Sequence, residues 1–196
     1  MSQAKGKQWI RFGRKHRALP YVVYGPMISF FLFESLVRYR LPWTTALELL
    51  VCGMALWTLM EYFIHRFLFH SRNSARIVTQ ESHRLHHEAP FSREFLVAPV
   101  FVSLPVTLLS VAVFYLLTFN PAFTFALVAG VEFAYLLYEV AHYTAHHRQP
   151  KTRLMKDLKR YHLLHHFEGG RTRFGVTSPF WDKVFGTSPQ RKDCQV

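Results

Sequence analysis

Residues 95–147 read FLVAPVFVSLPVTLLSVAVFYLLTFNPAFTFALVAGVEFAYLLYEVAHYTAHH. The stretch 95–119 carries no charged side chain, which is long for a helix in a soluble core and enough to cross a bilayer. Pro99 and Pro105 within it predict a kink or a bent entry. Asn120 and Pro121 predict a tight turn. A second apolar segment follows at 122–141 and runs straight into histidines. Two more apolar segments lie upstream, at 21–37 and 44–63, joined by a turn at 38–42. The first is short, near the lower limit of about 17 residues for a spanning helix. The expected fold is all-α, an integral membrane protein with about four transmembrane helices; the histidine runs at 65–70, 83–87, 142–147 and 162–166 add to this expectation a cytosolic, histidine-rich helical cap holding a dinuclear metal site. Residues 1–19 form a basic cytosolic arm, and 20–196 form one membrane-embedded domain.

The charge pattern tests this topology. The 196 residues carry a formal net charge of +12, and half of them are apolar. Such a charge suits nucleic acid, but its distribution does not: 22 of the 24 Lys and Arg fall in the arm, in 66–93 and in 148–192. Four spans put all three regions on one side, which the positive-inside rule assigns to the cytosol. Only Arg38 and Arg40 fall on the other side. Both termini are then cytosolic, and no nucleic-acid partner is expected. Cys52 and Cys194 are the only cysteines, so neither a disulfide framework nor a CxxC metal site is available. The basic start, without a small-residue cleavage site, reads as a retained anchor rather than a removed signal.

Twelve histidines stand in the chain. His16, in the arm, reads as an ordinary surface residue. The other eleven cluster as HRFLFH at 65–70, HRLHH at 83–87, HYTAHH at 142–147 and HLLHH at 162–166. Four spans place all four clusters on the cytosolic side. Residues three and four apart share a helix face. His83 with His86 and His87, His142 with His146, and His162 with His165 and His166 can each point together. His65 and His70, five apart, need a helix end, a π-bulge or different metals. His147 lies off the face of His142 and His146 and ranks as a weaker ligand. Neutral imidazole is a common ligand for zinc, iron and copper. Ten imidazoles exceed what one ion can use and suit two ions with four or five ligands each.

Carboxylates flank the clusters. Glu61 precedes His65 by four residues, and Glu139 precedes His142 by three. Each is expected either to accept an imidazole N–H and so orient the ring, or simply to reach interfacial water. Glu34, Glu48 and Glu132 have weaker claims.

These residues resemble the fatty acid hydroxylase superfamily, and most closely the fatty acid 2-hydroxylases without a fused cytochrome b5 domain. The likeness covers about Glu61 to Thr187. It rests on EYFIHRFLFH at 61–70, HRLHHEAPF at 83–91, LYEVAHYTAHH at 137–147 and YHLLHHFEGGRTRFGVTSPFWDKVFGT at 161–187. The resemblance implies a lipid monooxygenase: two histidine-bound metal ions, iron for activity with zinc able to bind, use O2 and two electrons to hydroxylate an acyl chain at its 2-position, as fatty acid or ceramide. Its metal ligands would be His65, His70, His83, His86, His87, His142, His146, His162, His165 and His166, with no catalytic residue beyond them. Many relatives carry a fused cytochrome b5 domain, for which the short arm leaves no room. A separate donor, ferredoxin or cytochrome b5-like, is then expected, drawn by the basic cytosolic face. The missing domain also points to a bacterial inner membrane, with the endoplasmic reticulum as the eukaryotic counterpart. Phe180 and Trp181 are expected as interfacial anchors or lid residues. Competing readings are a sterol or carotenoid oxidase or desaturase of the same superfamily, and a membrane metal-binding or transport protein. A zinc hydrolase and a bis-histidine haem protein complete the alternatives.

Overall fold

The computed structural model describes residues 18–70, 78–92, 96 and 100–189. The basic arm up to residue 17 with His16, the start of the third span with Pro99, and Cys194 lie outside them. The described residues form seven α-helices and no strand: α1 (Leu19–Phe33), α2 (Trp43–Phe63), α3 (Val78–Glu88), α4 (Val100–Thr118), α5 (Pro121–His147), α6 (Arg153–Phe167) and α7 (Phe180–Val184). Single π-helical stretches extend α1 over Glu34–Arg38 and α2 over Ile64–Phe69. Four of these helices are long and apolar enough to span a bilayer: Leu19–Arg38, Trp43–Phe69, Val100–Thr118 and Pro121–His147. The second and fourth run past the apolar segments read from sequence, because nothing at Phe63 or Ala141 breaks a helix. The second ends at Phe69 with His70 as its cap, and the fourth ends on His147. The third runs unbroken through Pro105.

The chain divides into two compact units. One comprises Lys15–Trp57 and Ala98–Leu137. Within it, α2 and α5 approach at two glycines. A Cβ on Gly130 would lie 2.1 Å from the Leu50 carbonyl oxygen, and a Cβ on Gly53 2.1 Å from that of Leu127. Small residues let helix backbones close up where lipid supplies no hydrophobic drive. Gly130→Val should force the pair apart and destabilise the fold by about 1–3 kcal/mol, as overpacking does; thermal unfolding in detergent reads this. Polar side chains add interhelical bonds. The Tyr24 hydroxyl donates to Ser103 Oγ (2.6 Å), Ser35 Oγ to the Ala122 carbonyl (2.9 Å), and Thr107 Oγ1 to the Glu132 carboxylate. Leu108, Leu109, Leu116 and Leu117 of α4 are exposed, a face suited to lipid rather than water.

The other unit comprises Thr58–Val97 and Tyr138–Val196. It holds every described histidine. Thr152 caps α6, its Oγ1 accepting from Met155 N at 3.4 Å. Beyond α6 the chain turns through Gly169 and Gly170, both at positive φ, and Gly170 N returns to the His165 carbonyl at 2.9 Å.

Candidate metal centre

The π-helical stretch explains the five-residue spacing of the first histidine pair. Five residues of α-helix rotate a side chain about 140° off face. Here His70 N bonds the His65 carbonyl at 3.2 Å, five residues back, and the wider turn brings the two rings to 5.1 Å between centroids.

The ten histidines gather as two groups of five. His65, His70, His83, His87 and His165 form one; His86, His142, His146, His162 and His166 form the other. In the first, Nε2 separations are 3.2 Å (His65–His83), 3.0 Å (His70–His83), 3.1 Å (His83–His87 and His70–His165) and 3.2 Å (His87–His165). In the second they are 3.0 Å (His86–His142), 2.8 Å (His146–His162) and 3.0 Å (His162–His166). Nitrogen donors about 2.1 Å from one ion, placed at octahedral corners, have neighbours about 3.0 Å apart. Both groups therefore fit a metal ion. Five imidazoles also exceed the four donors of a closed structural zinc site.

The triplets on α3 and α6 do not act as single faces. His83 and His87 join the first group while His86 joins the second; His162 and His166 join the second while His165 joins the first. On a helix, i+3 lies about 60° to one side of residue i and i+4 about 40° to the other. Each triplet thus straddles two neighbouring sites. His147 belongs to neither group, and its ring lies 5.2 Å from that of Tyr143.

Burial keeps the imidazoles in the neutral form that donates a lone pair. It lowers His70 and His87 to about 4, His165 to about 3 and His86 to about 2. His83, His162 and His166 are also lowered, again chiefly by burial, with neighbouring imidazoles adding to it.

The ring orientations come from the tail after α6. The Thr172 carbonyl meets His165 Nδ1 at 2.6 Å, and the Phe174 carbonyl meets His65 Nδ1 at 2.5 Å. A carbonyl there makes Nδ1 the protonated nitrogen and leaves Nε2 free to face a metal. Two buried carboxylates hold this tail. Asp182, wholly buried, accepts from Phe174 N (2.8 Å), Gly175 N (2.7 Å) and Thr187 Oγ1 (2.6 Å). Glu61 accepts from the backbone N–H of Val176 and of Thr177 (3.0 Å) and from the Thr177 hydroxyl. Glu61 therefore reaches the tail, not an imidazole. Glu139 is buried on α5, one turn before His142. Glu34 pairs with Arg38 at 3.5 Å. The sequence reading assigned no part to Asp182, Thr172 or Phe174. A backbone carbonyl leaves no mark in sequence, and Asp182 reads as a surface charge among FWDKV.

Gly170 closes the first group. At φ 66°, its Cβ would lie 2.7 Å from His70 Cε1 and 3.3 Å from His87 Cε1. Gly170→Ala should lose about 1–2 kcal/mol to backbone strain and displace His70, lowering metal content measured by mass spectrometry. Gly169 has φ 84° but open space around it, so Gly169→Ala should show the strain without the metal loss.

Known proteins share this chain's sequence and fold. Residues 50–187 match the fatty acid hydroxylase family. Dihydroceramide fatty acyl 2-hydroxylase FAH2 of Arabidopsis thaliana is 40% identical over 140 residues, covering 70% of this chain and 59% of that protein. Fatty acid 2-hydroxylase of Rattus norvegicus is 38% identical over 165 residues, covering 80% and 44%. This chain thus spans between two fifths and three fifths of those relatives' lengths. Among solved structures, full-length Scs7p, of which only the hydroxylase domain is visible, superimposes with a TM-score of 0.80 at 30% identity, covering 89% of this chain and 67% of that one. The spans, the paired imidazole groups and the family match over residues 50–187 together make the chain a multi-pass membrane protein of the fatty acid hydroxylase family.

Proposed function

We propose that the chain is an O2-dependent lipid monooxygenase that hydroxylates an acyl chain at the carbon next to its carbonyl. The observation that carries this reading is the pair of five-imidazole groups, supported by relatives that are themselves named 2-hydroxylases. The ten grouped histidines are the metal ligands, and iron is the active metal. When bound, the two ions supply the activation of O2 for insertion of one oxygen into an unactivated C–H, the other leaving as water with two electrons and two protons. The chain's own residues do the rest. His65 and His165 are fixed in one tautomer by the Phe174 and Thr172 carbonyls. Asp182 anchors the peptide that carries the Phe174 carbonyl by accepting from Gly175 N, and Glu61 holds the same tail further on, at Val176 and Thr177. The buried rings keep water out of the two groups.

The histidine-bearing ends of the second and fourth spans face the cytosol, a reading that the basic residues of 148–192 support. The substrate is a fatty acid or an acyl lipid such as ceramide, reached from the bilayer. A separate acidic electron carrier, ferredoxin or cytochrome b5-like, docks on the basic cytosolic surface. Turnover with a panel of donors should fall as salt rises; turnover indifferent to both salt and donor charge would remove the carrier from this account.

Expression in a host that lacks 2-hydroxy lipids, followed by lipid mass spectrometry, tests the reaction. New 2-hydroxy acyl species are expected. Iron-loaded protein with an active donor that yields none, or yields only oxidised sterols or carotenoids, would overturn it.

A further inference from the structure

A cleft of about 480 Å³ opens beside His70 in the histidine-bearing unit. That lies within the roughly 300–1,000 Å³ of small-ligand sites. Its walls are unequal. Phe67 and Phe174 supply two aromatic rings, and the Gly169–Gly170 turn supplies bare backbone. Two guanidinium groups, Arg66 and Arg171, also line it, and among the described residues no carboxylate does.

The two arginines differ from others in the same unit. Arg84 is held by Glu81 and Glu88, and Arg173 by Glu168. Arg66 and Arg171 have no ion-pair partner among the described residues. Arg66 is nevertheless held in place. It donates to the Tyr62 hydroxyl at 2.6 Å and lies 4.9 Å from the Phe67 ring centroid and 5.9 Å from that of Phe174. A fixed, uncompensated guanidinium against aromatic walls is built for a planar anion. Arg171, on the exposed side, completes the positive rim.

We infer that this cleft binds the carboxylate of a single-chain fatty acid, with Arg66 and Arg171 as the recognising charges beside His70. The inference rests on the proposed hydroxylation and names its substrate form: a free acid rather than a neutral ceramide. A carboxylate held there brings its C2 closer to the His70 group than any carbon further along the chain, in accord with oxidation at the 2-position. Gly169 and Gly170 keep that wall low, since any side chain on Gly170 would meet His70.

Binding separates this inference from the reaction itself. Radiolabelled tetradecanoate and tetradecanol are each equilibrated with the metal-loaded chain in neutral nanodiscs at fixed salt, with protein-free nanodiscs subtracted. The chain should prefer the acid at least tenfold. Arg66→Gln with Arg171→Gln should bring the ratio towards one, while unchanged tetradecanol binding reports an intact fold. Arg171→Gln alone, at an exposed position, should lower the ratio in part. Equal affinity of the unaltered chain for acid and alcohol, or a preference that survives the double substitution, overturns the proposal. In turnover, the same substitutions should raise KM for the acid far more than they lower kcat. Hydroxylation of ceramide with an unmoved KM would sink the inference and leave the proposed function standing. Acid-selective binding without any hydroxylated product would do the reverse.

Discussion

His166→Ala should abolish the 2-hydroxy product. His166 is buried, with its Nε2 3.0 Å from that of His162 and its ring 4.7 Å from that of His146. Truncation leaves four imidazoles in that group and opens a cavity among them. Loss of an outer partner that merely orients a metal ligand costs roughly 10–100-fold in activity or affinity, so loss of a ligand itself should exceed that. Metal analysis of the purified variant should show about half the metal of the unaltered protein. His147→Ala is the matched comparison, since that ring stands outside both groups, and it should retain metal and most activity. Two ions per chain and normal product in His166→Ala would contradict the ligand assignment.

Asp182→Ala should be the most damaging substitution away from the imidazoles. Its carboxylate is wholly buried and accepts three hydrogen bonds, two from backbone N–H groups of the tail. Each buried donor left without a partner costs about 1–3 kcal/mol. A total loss of about 3–5 kcal/mol in unfolding free energy is expected, after some of the donors find other partners. The same change frees the Phe174 carbonyl from its anchor and lets the His65 ring turn. Metal affinity should drop roughly 10–100-fold alongside stability. Asp182→Asn keeps the shape and one acceptor oxygen, and it should fall between. Calorimetry in detergent combined with metal titration reads both effects. An Asp182→Ala protein with unaltered metal affinity would detach the tail from the metal groups.

Much of this was readable from residue order. The span count needed only uncharged runs and the placement of 22 of 24 basic residues. The ten clustered imidazoles stood out because HxxHH occurs twice in so short a chain. What residue order did not carry was the partition. A triplet such as His83, His86 and His87 looks like one face, and only the rotation of α3 between two sites shows that its members part. The π-helical stretch at 64–69 was one of three geometries open for His65 and His70, since no residue type demands it. Glu61 lay at helical spacing from His65, which left an imidazole partner and interfacial water equally open; its partners are more than a hundred residues along the chain, at Val176 and Thr177.

The division of α3 and α6 between the two groups bears on how metal would be taken up. Each helix is a rigid crossbar that presents two rings to one group and one ring to the other. Capture of the first ion locks both crossbars and pre-aligns His86 or His165 for its neighbour. Uptake should then be cooperative, with singly loaded chains scarce at any metal concentration, and a chelator should strip the pair almost together.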